Sequence, residues 1–139
     1  MKAREAAVVV LNEVTINGAY SNIAVAKVLR RGDLLEKDRR LFVELAYGSI
    51  KAIGTLDWMI AHYVNNMQKI EPKILNILRV GFYQLFFLDR VPASAACNEA
   101  VNLAKIHSNS CAAKFVNAVM RAAVRQTGKI VYPDRITNP

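Results

Sequence analysis

Apolar residues recur at intervals of three and four along this chain, and no run alternates them between hairpin turns. The first pattern is that of an α-helix and the second that of a half-buried strand. A chain holding only the first must build its core from helix faces. The pattern is clearest in PKILNILRVGFYQLFF, residues 72–87, where Ile74, Leu75, Leu78, Phe82, Leu85 and Phe86 form one wide apolar face. Pro72 suits a first helical position, and Ile70 with Leu75 can close a hydrophobic staple across it.

Other segments carry the same period. Ala3, Ala7, Val10, Leu11 and Val14 mark a first helix that Asn17-Gly18 ends. Ser21 or Asn22 can cap a second, striped by Val25, Val28 and Leu29 and stopped at Gly32. A third starts near Glu36 and runs to Gly54, and Thr55 can cap a fourth through Tyr63. Pro92 restarts the chain for a helix to about His107, and Ser108 or Ser110 caps a last one ending before Gly128. The remainder, KIVYPDRITNP, has two prolines and no helical period, and reads as an irregular tail. The expectation is an all-α domain of six or seven helices in two antiparallel bundles.

Charge narrows the partners. The formal net charge is +8, and it is uneven. Residues 1–66 hold nine basic and seven acidic side chains, net +2, whereas residues 67–139 hold ten and four, net +6. Such an excess favours an anionic partner, commonly nucleic acid. The longest apolar run, residues 80–88, falls far short of the ~20 residues that span a bilayer, so no membrane role is expected. Cys97 and Cys111 both lie in helical patterns, which suits a reducing cytoplasm rather than a disulfide framework. Nothing resembles a phosphate-binding glycine loop, a serine nucleophile elbow or a metal-ligand spacing, so no catalytic residue or metal ligand is assigned.

Two sets of polar residues remain. Arg79 lies on the apolar face of its helix and requires a partner, because an unpaired buried ion costs several kcal/mol. Glu99 is the first choice of acceptor, with Glu44 the alternative. The second set is basic. Lys114, Arg121 and Arg125 align along one side of the last helix, with Lys129 just beyond, and residues 112–129 hold no Asp or Glu. A solvated helix face ordinarily mixes signs. This stripe, together with Lys2 and Arg4, is therefore the candidate surface for a phosphate backbone. Arg30, Arg31, Arg39 and Arg40 form a secondary cluster, diluted by Asp33, Glu36 and Asp38. Tyr20 is the expected exposed aromatic, and Asn117 is expected to bond a loop backbone.

The same residues resemble a known family. ILNILRVGFYQLFFLDRVPASAACNEAVNLAK (74–105) and KFVNAVMRAAVR (114–125) are similar to the NusB-like domain. GAYSNIAV (18–25), DRRLFVELAYGSI (38–50) and TLDWMI (55–60) extend the likeness over residues 1–126. The resemblance implies a NusB-like RNA-binding domain over 1–127, with 128–139 starting a linker to a further domain. Of the two branches that share the fold, GAYSN, the thin basic start and the tail IVYPD resemble the N-terminal domain of the 16S rRNA cytosine-5 methyltransferases (Sun, Fmu or RsmB). The other branch is the stand-alone transcription antitermination factor. A helical protein-interaction module with incidental charge is the third reading.

On the first, the chain is a non-catalytic, cytoplasmic, monomeric domain. Its partners are 16S rRNA and its own C-terminal catalytic domain, which would bind S-adenosylmethionine. That family's catalytic cysteines follow Pro or Thr. Cys97 follows Ala96 and Cys111 follows Ser110, so neither is carried over.

Overall fold

The structure is a computed structural model that describes the backbone of residues 1–137 and the side chains of residues 1–126. The elements are α1 (Ala3–Thr15), α2 (Ser21–Arg31), α3 (Glu36–Lys51), α4 (Ile53–Ala61), a 3-10 turn (Met67–Lys69), α5 (Pro72–Phe87), α6 (Ala93–His107) and α7 (Ser110–Thr137). Among the described residues there is no strand. Helices α1, α2 and α3 pack on one another, α6 packs on α7, and α5 touches α1, α3, α4, α6 and α7. The result is two helical groups sharing one core through α5.

Several helix ends follow the sequence. Pro72 opens α5, and Gly32, at φ +74°, ends α2 in the left-handed conformation that favours glycine. Others differ. The third helix stops at Lys51 and α4 begins at Ile53, two residues before Thr55, which is therefore not a cap. Ala52 serves both helices: its N–H donates to the Gly48 carbonyl and its carbonyl accepts from the Leu56 N–H. Tyr20 rather than Ser21 or Asn22 stands at the N-cap of α2. The side-chain cap of α7 is Asn109, whose Oδ1 accepts the Ala112 N–H at 2.8 Å, in place of Ser108 or Ser110. The α7 backbone continues through Gly128 to Thr137. A glycine inside a helix costs only about 1 kcal/mol relative to alanine, too little to force an end there. The helical backbone also runs through Pro133 despite a cost of about 3 kcal/mol, so the expected irregular tail is not observed as far as Thr137. The side chains beyond Gln126, Lys129 among them, lie outside the described residues.

The core is densest around α5. Leu78 and Phe82 are fully buried, and Val119 of α7 is 3% exposed. Burying each such side chain contributes about 1.5–3 kcal/mol. Two glycines allow close approach. A Cβ on Gly81 would meet the Met120 Sδ of α7 at 2.8 Å, and one on Gly48 would overlap the Tyr83 ring across the α3–α5 contact.

Arg79 is held as its position demands, with its side chain 11% exposed. Its partner is not Glu99. Nε and Nη2 donate to Asp57 Oδ1 and Oδ2 of α4, both at 2.8 Å, in a two-pronged fork. Nη1 donates to Asn76 Oδ1 at 2.8 Å. Asn76, wholly buried, passes the chain on: its Nδ2 donates to Asn12 Oδ1 at 2.8 Å and to Thr15 Oγ1 at 3.0 Å, both on α1. Glu99 pairs instead with Arg4 at 3.6 Å, and Glu44 accepts the Tyr83 hydroxyl at 3.2 Å. The i,i+4 arithmetic of one helix does not reveal which neighbouring helix supplies the acid.

Two outcomes test this packing. Arg79→Ala should lower the stability of unfolding in urea by about 2–3 kcal/mol, short of the full buried-pair penalty because Asp57 is 34% exposed and regains water. Gly48→Ala should destabilise by about 1–3 kcal/mol despite alanine's better helix propensity, since the Tyr83 ring must move.

Candidate nucleic-acid interface

The outer side of α7 carries the basic stripe. Lys114 and Arg125 are exposed, with exposed Ala118 between them. Arg121 is half-buried: its Nη2 donates to Asn98 Oδ1 of α6 at 3.2 Å and its Nε to Asn117 Oδ1 at 3.3 Å. Asn117 thus orients an arginine rather than a loop backbone. The partners of Arg121 are amide oxygens, so its charge is undiminished.

The α6–α7 pair that sets Asn98 against Arg121 brings Lys105 about level with Lys114. Lys105 is exposed, as are Asn98 and Asn102 on the same side of α6. Lys105 is a member of this face that the sequence reading missed. The i, i+4, i+7 placement of Asn98, Asn102 and Lys105 was the available signal.

On the other flank of α6 a groove runs to the start of α1, with Lys2 and Lys105 among its lining and Leu103 and Ile106 as its apolar part. Lys2 is exposed, but Arg4 is not free. Its Nε donates to Gln84 Oε1 at 2.7 Å, its Nη1 lies 3.6 Å from Glu99 Oε2, and its side chain is 20% exposed. Arg4 is a tie between α1, α5 and α6. The sequence suggested Arg4 as a phosphate contact; in the structure its guanidinium is engaged in this tie.

The acids of this face are all engaged. Glu99 is held by Arg4, Glu5 accepts from His107 Nε2 at 2.9 Å, and Asp33 lies 3.5 Å from the amino terminus. Lys2, Lys105, Lys114 and Arg125 have no ion-pair partner among the described residues. The field over this side is positive because its carboxylates are spoken for.

The NusB family matches residues 1–125, almost the entire described chain. The chain belongs to the NusB family. It is 36% identical over 123 residues to the "Probable ribosomal RNA small subunit methyltransferase B" of Bacillus subtilis (strain 168), covering 88% of this chain and 28% of that protein. It thus spans little more than a quarter of the methyltransferase relatives it matches. It is also 36% identical over 120 residues to the transcription antitermination protein NusB of Bacillus velezensis, covering 85% of this chain and 89% of that one. Among solved structures, antitermination factors NusB and NusE in complex with dsRNA superpose with a TM-score of 0.79 at 25% identity, over 86% of this chain and 91% of that one.

None of the described glycines lies in an open phosphate-cradling loop. The spaces beside Gly48 and Gly81 are filled by Tyr83 and Met120, Gly18 and Gly32 follow helix ends, and Gly54 stands alone on α4. Cys97 is fully buried beside α7; burial pushes its thiol up from the ordinary value, and nearby Arg121 only partly opposes this. That is the wrong direction for a nucleophile. Cys111 is exposed, without a basic group bonded to it. No helix of the described residues is long and apolar enough to cross a membrane.

The reassignment of Arg4 is testable. Arg4→Ala should destabilise the fold by about 1–2 kcal/mol, because it strands Gln84 Oε1, which belongs to a residue 2% exposed. Because the change also frees the Glu99 carboxylate, RNA binding on this face should weaken too, whereas Lys2→Ala should weaken binding with no loss of stability.

Proposed function

We propose that this chain is the RNA-binding, non-catalytic domain at the start of a 16S rRNA cytosine-5 methyltransferase. On this reading it docks the enzyme on its rRNA. Lys2, Lys105, Lys114, Arg121 and Arg125 contact the phosphate backbone, and the segment 128–139 leads towards a catalytic domain that binds S-adenosylmethionine. The observation that carries the reading is the face of α1, α6 and α7, where every acid is engaged and the lysines are not. A surface of this kind suits backbone and shape recognition, which positions RNA without reading bases. The match to a much longer methyltransferase supports the choice of branch. The domain works in the cytoplasm as a monomer.

A second reading, the free antitermination factor, is favoured by the relative that this chain covers almost end to end. The two readings differ in the open reading frame, where the first requires about 300 further residues, since 123 matched residues are 28% of the methyltransferase relative. That continuation would carry cysteines in Pro-Cys and Thr-Cys settings.

The triple variant Lys114→Ala, Arg121→Ala, Arg125→Ala should bind a 16S rRNA fragment more weakly, with the salt slope reduced by about 0.7–0.9 for each phosphate no longer neutralised. The helical circular dichroism signal should be retained. Calorimetry of the chain alone should show no uptake of S-adenosylmethionine. Unchanged affinity and slope in the folded triple variant would return the stripe to a solvated face, and would leave a protein-interaction module as the better reading.

A further inference from the structure

The secondary cluster acquires a different character in three dimensions. Arg39 and Arg40 line a groove along α3 with Tyr47, and Arg40 also lines an adjoining groove with Phe87 and Arg90. Glu44 belongs to both grooves. Tyr47 is 40% exposed and Phe87 is 45% exposed. Phe87 lies flat on Tyr83, with ring centroids 5.2 Å apart and planes 12° from parallel. The outer face of Phe87 is thereby held open to solvent in one orientation. Tyr83 is itself fixed, by its bond to Glu44 and by its seat against Gly48.

The arginines are available. Arg40 stands one helical turn from both Glu36 and Glu44, yet has no ion-pair partner among the described residues, nor have Arg39 and Arg90. A guanidinium grips phosphate through its planar fork and stacks on aromatic rings and bases. Aromatic platforms beside such cations are the means by which single-stranded nucleic acid is held without sequence preference. Apart from Arg90, these groups belong to α3 and the end of α5, and none comes from α7 or the outer side of α6. They form a second surface.

We propose that this face binds single-stranded RNA, stacking bases on Tyr47 and Phe87 and meeting phosphates with Arg39, Arg40 and Arg90. The inference rests on the reading of this chain as an RNA-binding domain and adds a site of different chemistry. Glu36, Glu44 and Asp89 also line the grooves, so three acids balance three arginines. Affinity here must come chiefly from stacking, and its salt slope must be shallower than that of the α6–α7 face. One domain could then hold a helical stretch of RNA on one side and an unpaired stretch on the other.

The test uses the whole chain and two fluorescent probes, a 12-nucleotide oligoadenylate and a short RNA duplex. Tyr47→Ala should weaken oligoadenylate binding about fivefold or more, as should Phe87→Leu, which keeps bulk but removes the π-face. Tyr47→Phe should restore it. Arg40→Gln should reduce the oligoadenylate salt slope by about 0.7. None of these should alter duplex binding, because paired bases are not free to stack. If folded Tyr47→Ala and Phe87→Leu bind oligoadenylate as the parent does, the inference is overturned and the face is left to a protein partner. If the unaltered chain binds neither probe, the RNA-binding reading itself falls. The two failures are therefore distinct.

Discussion

A helix buried on every side must find partners for its own polar side chains among its neighbours, and α5 is such a helix. Asn76, Arg79 and Gln84 sit among its buried apolar residues and are answered by Asn12 and Thr15, by Asp57, and by Arg4. Hydrophobic burial is non-directional and would let α1 slide along α5. The polar contacts do not. Asn12 meets Asn76 and Arg4 meets Gln84, so eight residues on α1 match eight on α5 running the opposite way, about 12 Å of helix on each. Two bonds at that spacing fix the register of α1. The Arg79–Asp57 fork does the same for α4.

The pinning of α1 determines the electrostatics of the outer face. Arg4 brings its positive charge inward and takes Glu99 with it. Glu5, the next residue along, is taken by His107. What remains outside is Lys2 and the cations of α6 and α7. Counting basic residues would have credited Arg4 to the surface. Its contribution is the opposite one, the removal of an acid that would have repelled phosphate.

The fold was legible because helix faces are written locally. Pro72, Gly32 and the stripes through Leu78, Phe82 and Val119 need only their own neighbours in sequence. What the sequence hid was relational. The sequence pointed to Glu99 or Glu44 for Arg79 and did not point to Asp57, because which acid answers it depends on how α3, α4 and α6 cross α5. Asn109 was passed over for two flanking serines because all three are good caps, and only the geometry of the Ala112 N–H decides among them. Lys105 was legible on a helical wheel and was overlooked. Tyr47 and Phe87 were not legible as exposed aromatics, since each lies in a segment whose period assigns aromatics to the core. Tyr20, picked as exposed, is so at 76%, but it stands at the start of α2, apart from the grooves lined by Arg39 and Arg40.

The two proposed surfaces would divide the physics of RNA recognition between them. Contacts of lysine and arginine with phosphate act over roughly a Debye length, about 8 Å at physiological ionic strength, and are indifferent to sequence. Such contacts would gather RNA and hold it loosely. Stacking acts only at van der Waals contact, needs an unpaired base, and is largely insensitive to salt. A domain using both would tolerate duplexes of any sequence on the α6–α7 side. It would favour those with a single-stranded stretch placed to reach α3. Selectivity would then reside in the geometry of the RNA, in the distance from helix to loop, rather than in any base that the protein reads. On the methyltransferase reading proposed above, such a division would suit a domain that leaves the choice of nucleotide to a separate catalytic part.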